Sequence, residues 1–437
     1  MLKGKTVAPL TLGCKVNQYE TDGMIELLKE AGMTAVSFEE KADVYLINTC
    51  SVTNMADKKS RQMIHRAKKL NPDAVVIAAG CYVQAAKDKL MEDDRISIII
   101  GNNKKKDIVQ ILEDYLEIGV TDEGMLDIAA EKEYEPLTIN STLEHTRAYV
   151  KIQDGCNQFC SYCIIPYVRG RIRSRELASI TEEVERLAQT GVKEIVLTGI
   201  HISSYGKDKE NEVGLADVID AISKIESIER IRLGSLEPGI ITDTFIDRIV
   251  DNKKVCPHFH LSLQSGCNTV LKRMNRKYTC EEYFEKCEML RKAFDRPALT
   301  TDVIVGFPGE TDEEFQETVD YLTKLNLYEM HIFKFSPRQG TVAAGMRDQI
   351  GPEIKNQRSD VLLALSEKNK HAYEASFRGE TLEVLVEEKV RRNGKNGYRG
   401  HTERYIDIFV EEECMHRICG READIINHIV QIPYGME

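Results

Sequence analysis

The sequence predicts an α/β protein in three parts: an N-terminal parallel α/β sheet domain, a central partial (βα)6 barrel and a small antiparallel β-barrel at the C-terminus. Three observations carry this. Strand and helix signals alternate through the N-terminal stretch, as they do in a parallel sheet. The alternation restarts on a larger scale at Arg147 and runs through six βα repeats. The C-terminal stretch then changes to short strands broken by Gly and Asn. The implied boundaries are 1–125, a linker at 126–142, 143–374 and 375–437.

In the first part, Thr6–Leu12 (TVAPLTL), Ala42–Asn48 (ADVYLIN), Asp73–Ala79 (DAVVIAA) and Ile96–Ile100 (ISIII) read as buried strands. Tyr19–Gly32, closed by its glycine, and Ala56–Leu70 carry the helical pattern between them. The linker is polar and acidic around Pro136. Barrel strands are expected at 148–152, 194–199, 230–235, 258–264, 299–306 and 330–335. Helices are expected at Ile180–Gln189, Leu215–Ile225, Thr244–Val250, Glu281–Ala293 and Glu313–Leu325. Six repeats fall short of the eight that close a full barrel, which leaves a side opening for a large substrate. A helix over Glu353–Ala375 leads to the terminal strands TLEVLVEE, NGYRGHT, YIDIFVEE and HIVQIP.

Hydrophobic residues make up 42% of the 437, enough for sizeable cores. No apolar run approaches the ~20 residues of a membrane span, and the N-terminus MLKGKTVAPLTLGC lacks the apolar core of a signal peptide. A cytoplasmic protein without a membrane partner is expected. The net charge of −12 excludes a general nucleic-acid-coating protein, so any RNA binding rests on local basic patches.

Twelve cysteines in a cytosolic chain point to metal, cluster or thiol chemistry rather than structural disulfides. Cys256, Cys267, Cys280, Cys287, Cys414 and Cys419 show no tight ligand spacing and read as small buried apolar residues. The other six form two sets. Cys14, Cys50 and Cys81 each follow one of the first three strands, in LGC, NTC and AGC, at spacings of 36 and 31 residues. Parallel strands bring their C-terminal ends to one edge, where such sheets bind ligands, so these three are expected to converge. Cys156, Cys160 and Cys163 follow the first barrel strand in DGCNQFCSYCIIPYVRGRIRSRE, spaced C-x3-C-x2-C, at the barrel end where active sites lie. A structural zinc or a complete 4Fe-4S site takes four protein ligands; three leave one metal position open to an exogenous ligand.

C-x3-C-x2-C after the first strand of a partial βα barrel resembles the radical S-adenosylmethionine (SAM) enzymes. The likeness extends over the whole chain: a three-cysteine α/β domain, a radical SAM core and a small β-barrel resemble the methylthiotransferases. NTCSVT, LTGIHISSYG, SLEP, LSLQSG and DVIVGFPGET are further matching stretches. The resemblance implies one 4Fe-4S cluster on Cys156, Cys160 and Cys163, whose open iron binds SAM, and a second on Cys14, Cys50 and Cys81. It implies that sulfur is inserted into an unreactive C–H bond through a SAM-derived radical and capped with a methyl group from another SAM. No catalytic residue separate from the cluster ligands is expected, because such a bond offers no acid or base handle. The terminal barrel resembles the TRAM module, which binds RNA.

TLGCKVNQYET and DGCNQFCSYCIIPYVRGRIRSR look most like the branch that makes 2-methylthio-N6-threonylcarbamoyladenosine at position 37 of tRNA. The isopentenyladenosine branch and a protein residue are the alternative substrates. The implied partners are the tRNA anticodon stem-loop, an external low-potential electron donor and a sulfur source; a monomer is expected from the self-contained module order.

Arg169, Arg171, Arg173 and Arg175 follow the cluster loop at once. The guanidinium fork suits phosphate, and alternation by two aims all four one way in a strand, so they are expected at tRNA or its modified base; a solvated or internally paired face is the other reading. A second basic group, Arg378, Lys389, Arg391, Arg392, Lys395, Arg399 and Arg404, surrounds a hairpin at VRRNGKNGYRG. Of these, Arg391, Arg392 and Arg399 are expected on phosphate and Tyr398 on a base. Truncation after the core is expected to weaken tRNA binding and spare SAM cleavage. Tyr162, Gly199, Ser235, Gln264 and Gly306 are expected near SAM, with strand-end packing as the competing role. His201 and Tyr205 are candidate polar groups near substrate, whereas His258 and His260 read as interior histidines.

Three rivals give different observables. A non-catalytic Fe–S protein that binds RNA or acts as a sensor shows cluster signals without SAM cleavage. A zinc-stabilised RNA-binding protein stays colourless after anaerobic purification. A radical SAM enzyme acting on protein fits poorly with the arginine-bearing tail.

Overall fold

The computed structural model describes residues 1–119, 125–140, 146–210, 213–420 and 424–435; the end of the expected linker, 141–142, lies outside the described residues. The N-terminal domain runs β1 (Thr6–Thr11), α1 (Lys15–Glu30), β2 (Thr34–Ala35), β3 (Val44–Thr49), α2 (Asn54–Leu70), β4 (Val75–Gly80), α3 (Cys81–Ala85), α4 (Lys87–Met91), β5 (Ile98–Ile100) and α5 (Ile108–Ile118). Its sheet is parallel throughout, in the order β2-β1-β3-β4-β5. Every residue of the central β3 is buried, as befits a strand covered on both faces. Alternate side chains feed two cores, Tyr45 and Ile47 on one face and Val44 and Leu46 on the other. The two-residue edge strand β2 was not expected, being too short to carry a pattern.

The linker packs instead of spanning freely. Leu137 and Ile139 are buried in the central core, and the Leu137 carbonyl accepts from the Tyr19 hydroxyl at 2.6 Å.

The central domain runs β6 (Arg147–Asp154), α6 (Ile165–Val168), β7 (Arg173–Ser174), α7 (Leu177–Gln189), β8 (Glu194–Gly199), α8 (Leu215–Ser223) and β9 (Arg230–Leu233). It continues through α9 (Asp243–Ile249), β10 (His258–His260), α10 (Asn268–Arg273), α11 (Cys280–Ala293), β11 (Ala298–Val305), α12 (Asp312–Leu325) and β12 (Glu329–Lys334). The six expected strands pair in parallel as β6-β8-β9 and β10-β11-β12, and the bridges Ile231–Val255 and Leu236–Leu261 join the halves. Thr279 with Glu282 and Thr311 with Glu314 form capping boxes that start α11 and α12. One face of the strands, with Val150, Ile152, Ile231, Phe259 and Val303, packs on the helices. The alternating positions, Lys151, Arg232, His258, His260 and Asp302, give the barrel a polar interior.

The expected side opening is spanned by the N-terminal domain. Helix α1 packs on β6 and β8. Beyond β12, Arg338 donates to Asn54 Oδ1 at 2.7 Å, Ser51 Oγ at 2.7 Å and Asp57 Oδ2 at 2.8 Å.

Helix α13 (Pro352–Ala375) leads to β13 (Thr381–Arg392), β14 (Lys395–Thr402), β15 (Asp407–Glu411), α14 (Glu412–Cys419) and β16 (Ile429–Pro433). These strands make an antiparallel sheet, order β15-β14-β13-β16, curled around Phe377, Val384, Ile408 and Ile432. Its edge strands β15 and β16 share no ladder among the described residues. The sheet docks on the barrel through buried arginines. Arg230 donates to the carbonyls of His401 and Glu383, and Arg232 to those of Glu403 and Thr402. Among the described residues no helix is long and apolar enough to cross a membrane.

Candidate active site

Because β1, β3 and β4 are parallel, their C-terminal ends reach one edge, and Cys14, Cys50 and Cys81 follow them directly. Gly13 stands at φ +102°, and a Cβ there would lie 2.8 Å from both Cβ and Sγ of Cys50, so the strand passes that cysteine only as glycine. Cys14 caps α1 and is solvent-accessible, whereas Cys50 and Cys81 are buried. The recess around Cys14 still raises its thiol pKa by desolvation, against the pull of Arg169. Burial pushes the Cys50 thiol up to about 11.

The second set lies on the loop after β6. Gly155, at φ +71°, lets this loop fold back, since a Cβ there would meet the Arg171 carbonyl oxygen at 1.7 Å. Cys156 N–H then donates to the Gly170 carbonyl at 3.0 Å, and Cys163 N–H to that of Cys160 at 2.9 Å. Burial pushes Cys156 up to about 11 and Cys163 up to about 12. Arg276, anchored on Glu237, donates from Nη1 to Cys160 Sγ at 3.2 Å.

The donor geometry selects among metals. A zinc ion with Zn–S bonds of ~2.3 Å holds its sulfurs about 3.8 Å apart. In neither cysteine triad do the three sulfurs lie within 4.8 Å of one another; among the described residues only His260, Asp302 and His331 meet that limit. As they stand, neither triad is preset to hold a single zinc ion.

The two triads flank one region. Cys156, Cys160 and Cys163 line a cavity of about 340 Å³ together with Val52 and Thr53, which follow Cys50. Ile164 lines the same cavity and packs against Cys81.

The arginine run is mostly internal, which corrects its expected aim at RNA. Only Arg173 and Ser174 are in strand, as β7, so the alternation does not set the faces. Arg169 is wholly buried and reaches Glu20 Oε1 at 2.8 Å, Asn17 Oδ1 at 2.7 Å and Cys81 Sγ at 3.3 Å. Arg173 is buried against the carbonyls of Arg169 and Arg171. Arg175 is paired with Glu183 and Tyr19. Arg171 alone is exposed, 4.5 Å over the Phe159 ring. Burial would raise the Glu20 carboxyl, but Arg169, Lys105 and Lys151 hold it well below its usual range.

Of the residues expected near SAM, Tyr162 and Gln264 line the cavity with the cysteines. Gly199, Ser235 and Gly306 stand outside its lining. Gly199 packs on the Gln153 carbonyl and Gly306 on Lys355, each too closely for a Cβ, and Ser235 is exposed. His201 lines the cavity, while Tyr205 is buried with its hydroxyl on the Arg175 carbonyl at 2.8 Å. His258 and His260 are interior, as read. Cys256, Cys267, Cys280 and Cys287 are buried, and Cys414 and Cys419 partly so.

The sequence reading missed Arg276, Glu237, Asp302 and Phe333, all on the cavity wall. Glu237 and Asp302 sit inside SLEP and DVIVGFPGET; a charged residue just past a strand was the available signal for Glu237, whereas Asp302 lies within β11. The Asp302 carboxylate lies 3.4 Å from His260 Nε2 and 3.3 Å from His331 Nδ1. Burial would raise its carboxyl, yet the two imidazoles hold it far below its usual range.

On the C-terminal sheet, β13 and β14 form the expected hairpin around Asn393-Gly394, both at positive φ. Arg391 and Arg392 are exposed there, Arg392 lying 3.6 Å from Asp407. Arg399 is partly exposed and bonds Asp407 at 2.8 Å, and Tyr398 is half-buried beneath Lys389. Arg404 faces the barrel instead, donating to the Asp295 carbonyl at 2.9 Å.

Residues 150–322 match the model of the Radical SAM superfamily, and residues 6–101 that of Uncharacterized protein family UPF0004. The chain is 42% identical to the threonylcarbamoyladenosine tRNA methylthiotransferase MtaB of Bacillus subtilis, over 92% of this chain and 90% of the relative. It is 41% identical to the protein of the same name from Aquifex aeolicus, over 92% and 96%. A tRNA-2-methylthio-N(6)-dimethylallyladenosine synthase of Thermoanaerobacter pseudethanolicus is 36% identical, over 93% and 88%. Among solved structures, the radical S-adenosylmethionine methyltransferase TsrM from Kitasatospora setae shares the fold, with a TM-score of 0.57 and 15% identity, covering 78% of this chain and 77% of that one.

Proposed function

This chain belongs to the radical SAM tRNA methylthiotransferases, and from that premise we propose that it adds a methylthio group to C2 of N6-threonylcarbamoyladenosine at position 37 of tRNA. The observation that carries the substrate is that two threonylcarbamoyladenosine enzymes reach 42% and 41% identity over almost the whole chain, while a dimethylallyladenosine enzyme, like a third threonylcarbamoyladenosine enzyme, reaches 36%.

Enzymes of this family carry two 4Fe-4S clusters and use SAM. We assign one cluster to Cys156, Cys160 and Cys163 and the other to Cys14, Cys50 and Cys81, supported by the cavity that the first set lines and by the convergence of the second at one sheet edge. When bound, these groups supply the radical and sulfur-transfer chemistry. The chain's own side chains orient and enclose. Tyr162 and Gln264 shape the cavity beside the first triad, and Asp302, held ionised by two histidines, presents an acceptor to it. Phe333 is 47% exposed on the cavity wall and offers a ring face to adenine, with Lys334 next to it for the threonylcarbamoyl carboxylate. His201, Glu237 and Arg276 add polar groups to the same lining. Arg391, Arg392, Arg399 and Tyr398 on the TRAM-like sheet reach for the tRNA backbone and a base. The reaction takes electrons from an external low-potential donor and sulfur from a separate source, in the cytoplasm where tRNA is found.

The test is nucleoside mass spectrometry after reaction of the anaerobically reconstituted enzyme with SAM, reductant and tRNA carrying either modified adenosine. A methylthio product on threonylcarbamoyladenosine supports the proposal. A product only on the isopentenyl (dimethylallyl) form moves the chain to the other branch, and none on either overturns it.

A further inference from the structure

We propose that Arg169 is a positioning residue for the cluster at Cys14, Cys50 and Cys81, and that its Nε–H···S bond to Cys81 raises that cluster's reduction potential. The inference rests on the assignment of a cluster to this triad.

Arg169 comes from the other cluster's loop, six residues beyond Cys163 and just past α6, and crosses the domain boundary. Its Nη1 is fixed by Glu20 at 2.8 Å and Asp154 at 3.1 Å, and its Nη2 by Asn17 at 2.7 Å and Glu20 at 3.0 Å. With both ends held, Nε has one direction left, and it points at Cys81 Sγ, 3.3 Å away. The only other side chain donating to that sulfur among the described residues is Asn102, at 3.8 Å. Hydrogen bonds to cluster sulfurs stabilise the reduced, more negative state.

The surrounding charge points the same way. Four buried cations, Lys105, Lys151, Arg169 and Arg173, share this network with three buried carboxylates, Glu20, Asp154 and Glu135. Arg173 leaves Nε and Nη2 without a hydrogen-bond partner. Even with every carboxylate ionised the network keeps a positive excess. Buried unbalanced charge is costly, and an anionic thiolate-ligated cluster beside Arg169 offsets it. The same arrangement makes each added electron more favourable.

The test uses the full chain with Cys156, Cys160 and Cys163 replaced by Ala, reconstituted anaerobically, so that any cluster signal comes from the other triad. Midpoint potentials are read by EPR-monitored redox titration with Arg169 present and as Arg169→Lys, which keeps the charge and loses the Nε–H donor. Four irons per chain in both, with a more negative midpoint in R169K, is the expected result. A second measurement needs no change at Arg169: with guanidino-15N-arginine, the reduced cluster should show a 15N hyperfine coupling that R169K removes or, if R169K does not fold, one present in the Arg169 chain alone. An unchanged midpoint at four irons, or no 15N coupling, overturns the role of Arg169. A chain that binds no iron with Arg169 intact instead overturns the cluster assignment, and the proposal with it.

Discussion

The guanidinium of Arg276 stands 3.2 Å from the sulfur of Cys160, with its second nitrogen on Glu237 Oε1 at 2.8 Å. Arg169 treats Cys81 in the same way. Each triad therefore has one sulfur facing a buried guanidinium that a carboxylate holds in place. A charge-assisted bond of this kind contributes about 1.5–3 kcal/mol. Arg276→Met is expected to slow reductive SAM cleavage at least ~10-fold at equal iron content, read as 5'-deoxyadenosine formed. An unchanged rate would mean that the contact is incidental.

The Asp302 pair with His331 predicts a pH window. The hydrogen bond to Asp302 raises the His331 pKa against the opposing effect of burial, with Glu329 and Lys15 also acting on it. A raised imidazole stabilises fully below its unfolded value of ~6.5 and loses that contribution as pH rises through the folded value. Asp302 is depressed, so its contribution is present above ~3.9 and lost as pH falls. The melting temperature of wild type relative to His331→Gln should therefore differ most between about pH 4 and 6.5 and converge in alkali. A gap that is constant from pH 5 to about 9 would rule out this linkage.

Removing the C-terminal sheet should cost stability as well as tRNA binding. Arg230 and Arg232 are buried and spend four donors on backbone carbonyls of that sheet. Each orphaned donor costs ~1–3 kcal/mol. A chain ending at Ala375 is expected to melt lower or to precipitate. Arg391→Ala with Arg392→Ala, at the exposed hairpin, should leave the melting temperature alone, weaken tRNA binding and lower its salt slope by roughly one per lost phosphate contact. A truncated chain that melts like the full one would contradict the docking argument.

What was legible in the sequence is what local pattern controls. The six barrel strands fall within a few residues of their apolar runs, and LGC, AGC and DGC mark cysteines that follow a strand through a glycine at positive φ. The arginine run was misread because its partners are distant. Glu20 lies 149 residues before Arg169, and no periodicity in RGRIRSR reports a carboxylate on α1. The docking of the N-terminal domain across the barrel's gap was illegible for the same reason: strand count gives the gap, but the Arg338 contacts with Ser51, Asn54 and Asp57 join residues far apart in sequence. Asp302 was hidden by its neighbours, since Val303, Ile304 and Val305 read only as a buried strand.

The most direct test of the two-cluster account is iron and sulfide counting on each triad separately. The unsubstituted chain should hold near eight irons, since each triad takes one ~four-iron cluster. Replacing Cys14, Cys50 and Cys81 by Ala should leave about four and preserve SAM cleavage while abolishing methylthiolation. Replacing Cys156, Cys160 and Cys163 should also leave about four but abolish SAM cleavage. A chain that holds about four irons whether or not Cys14, Cys50 and Cys81 are present would contradict it.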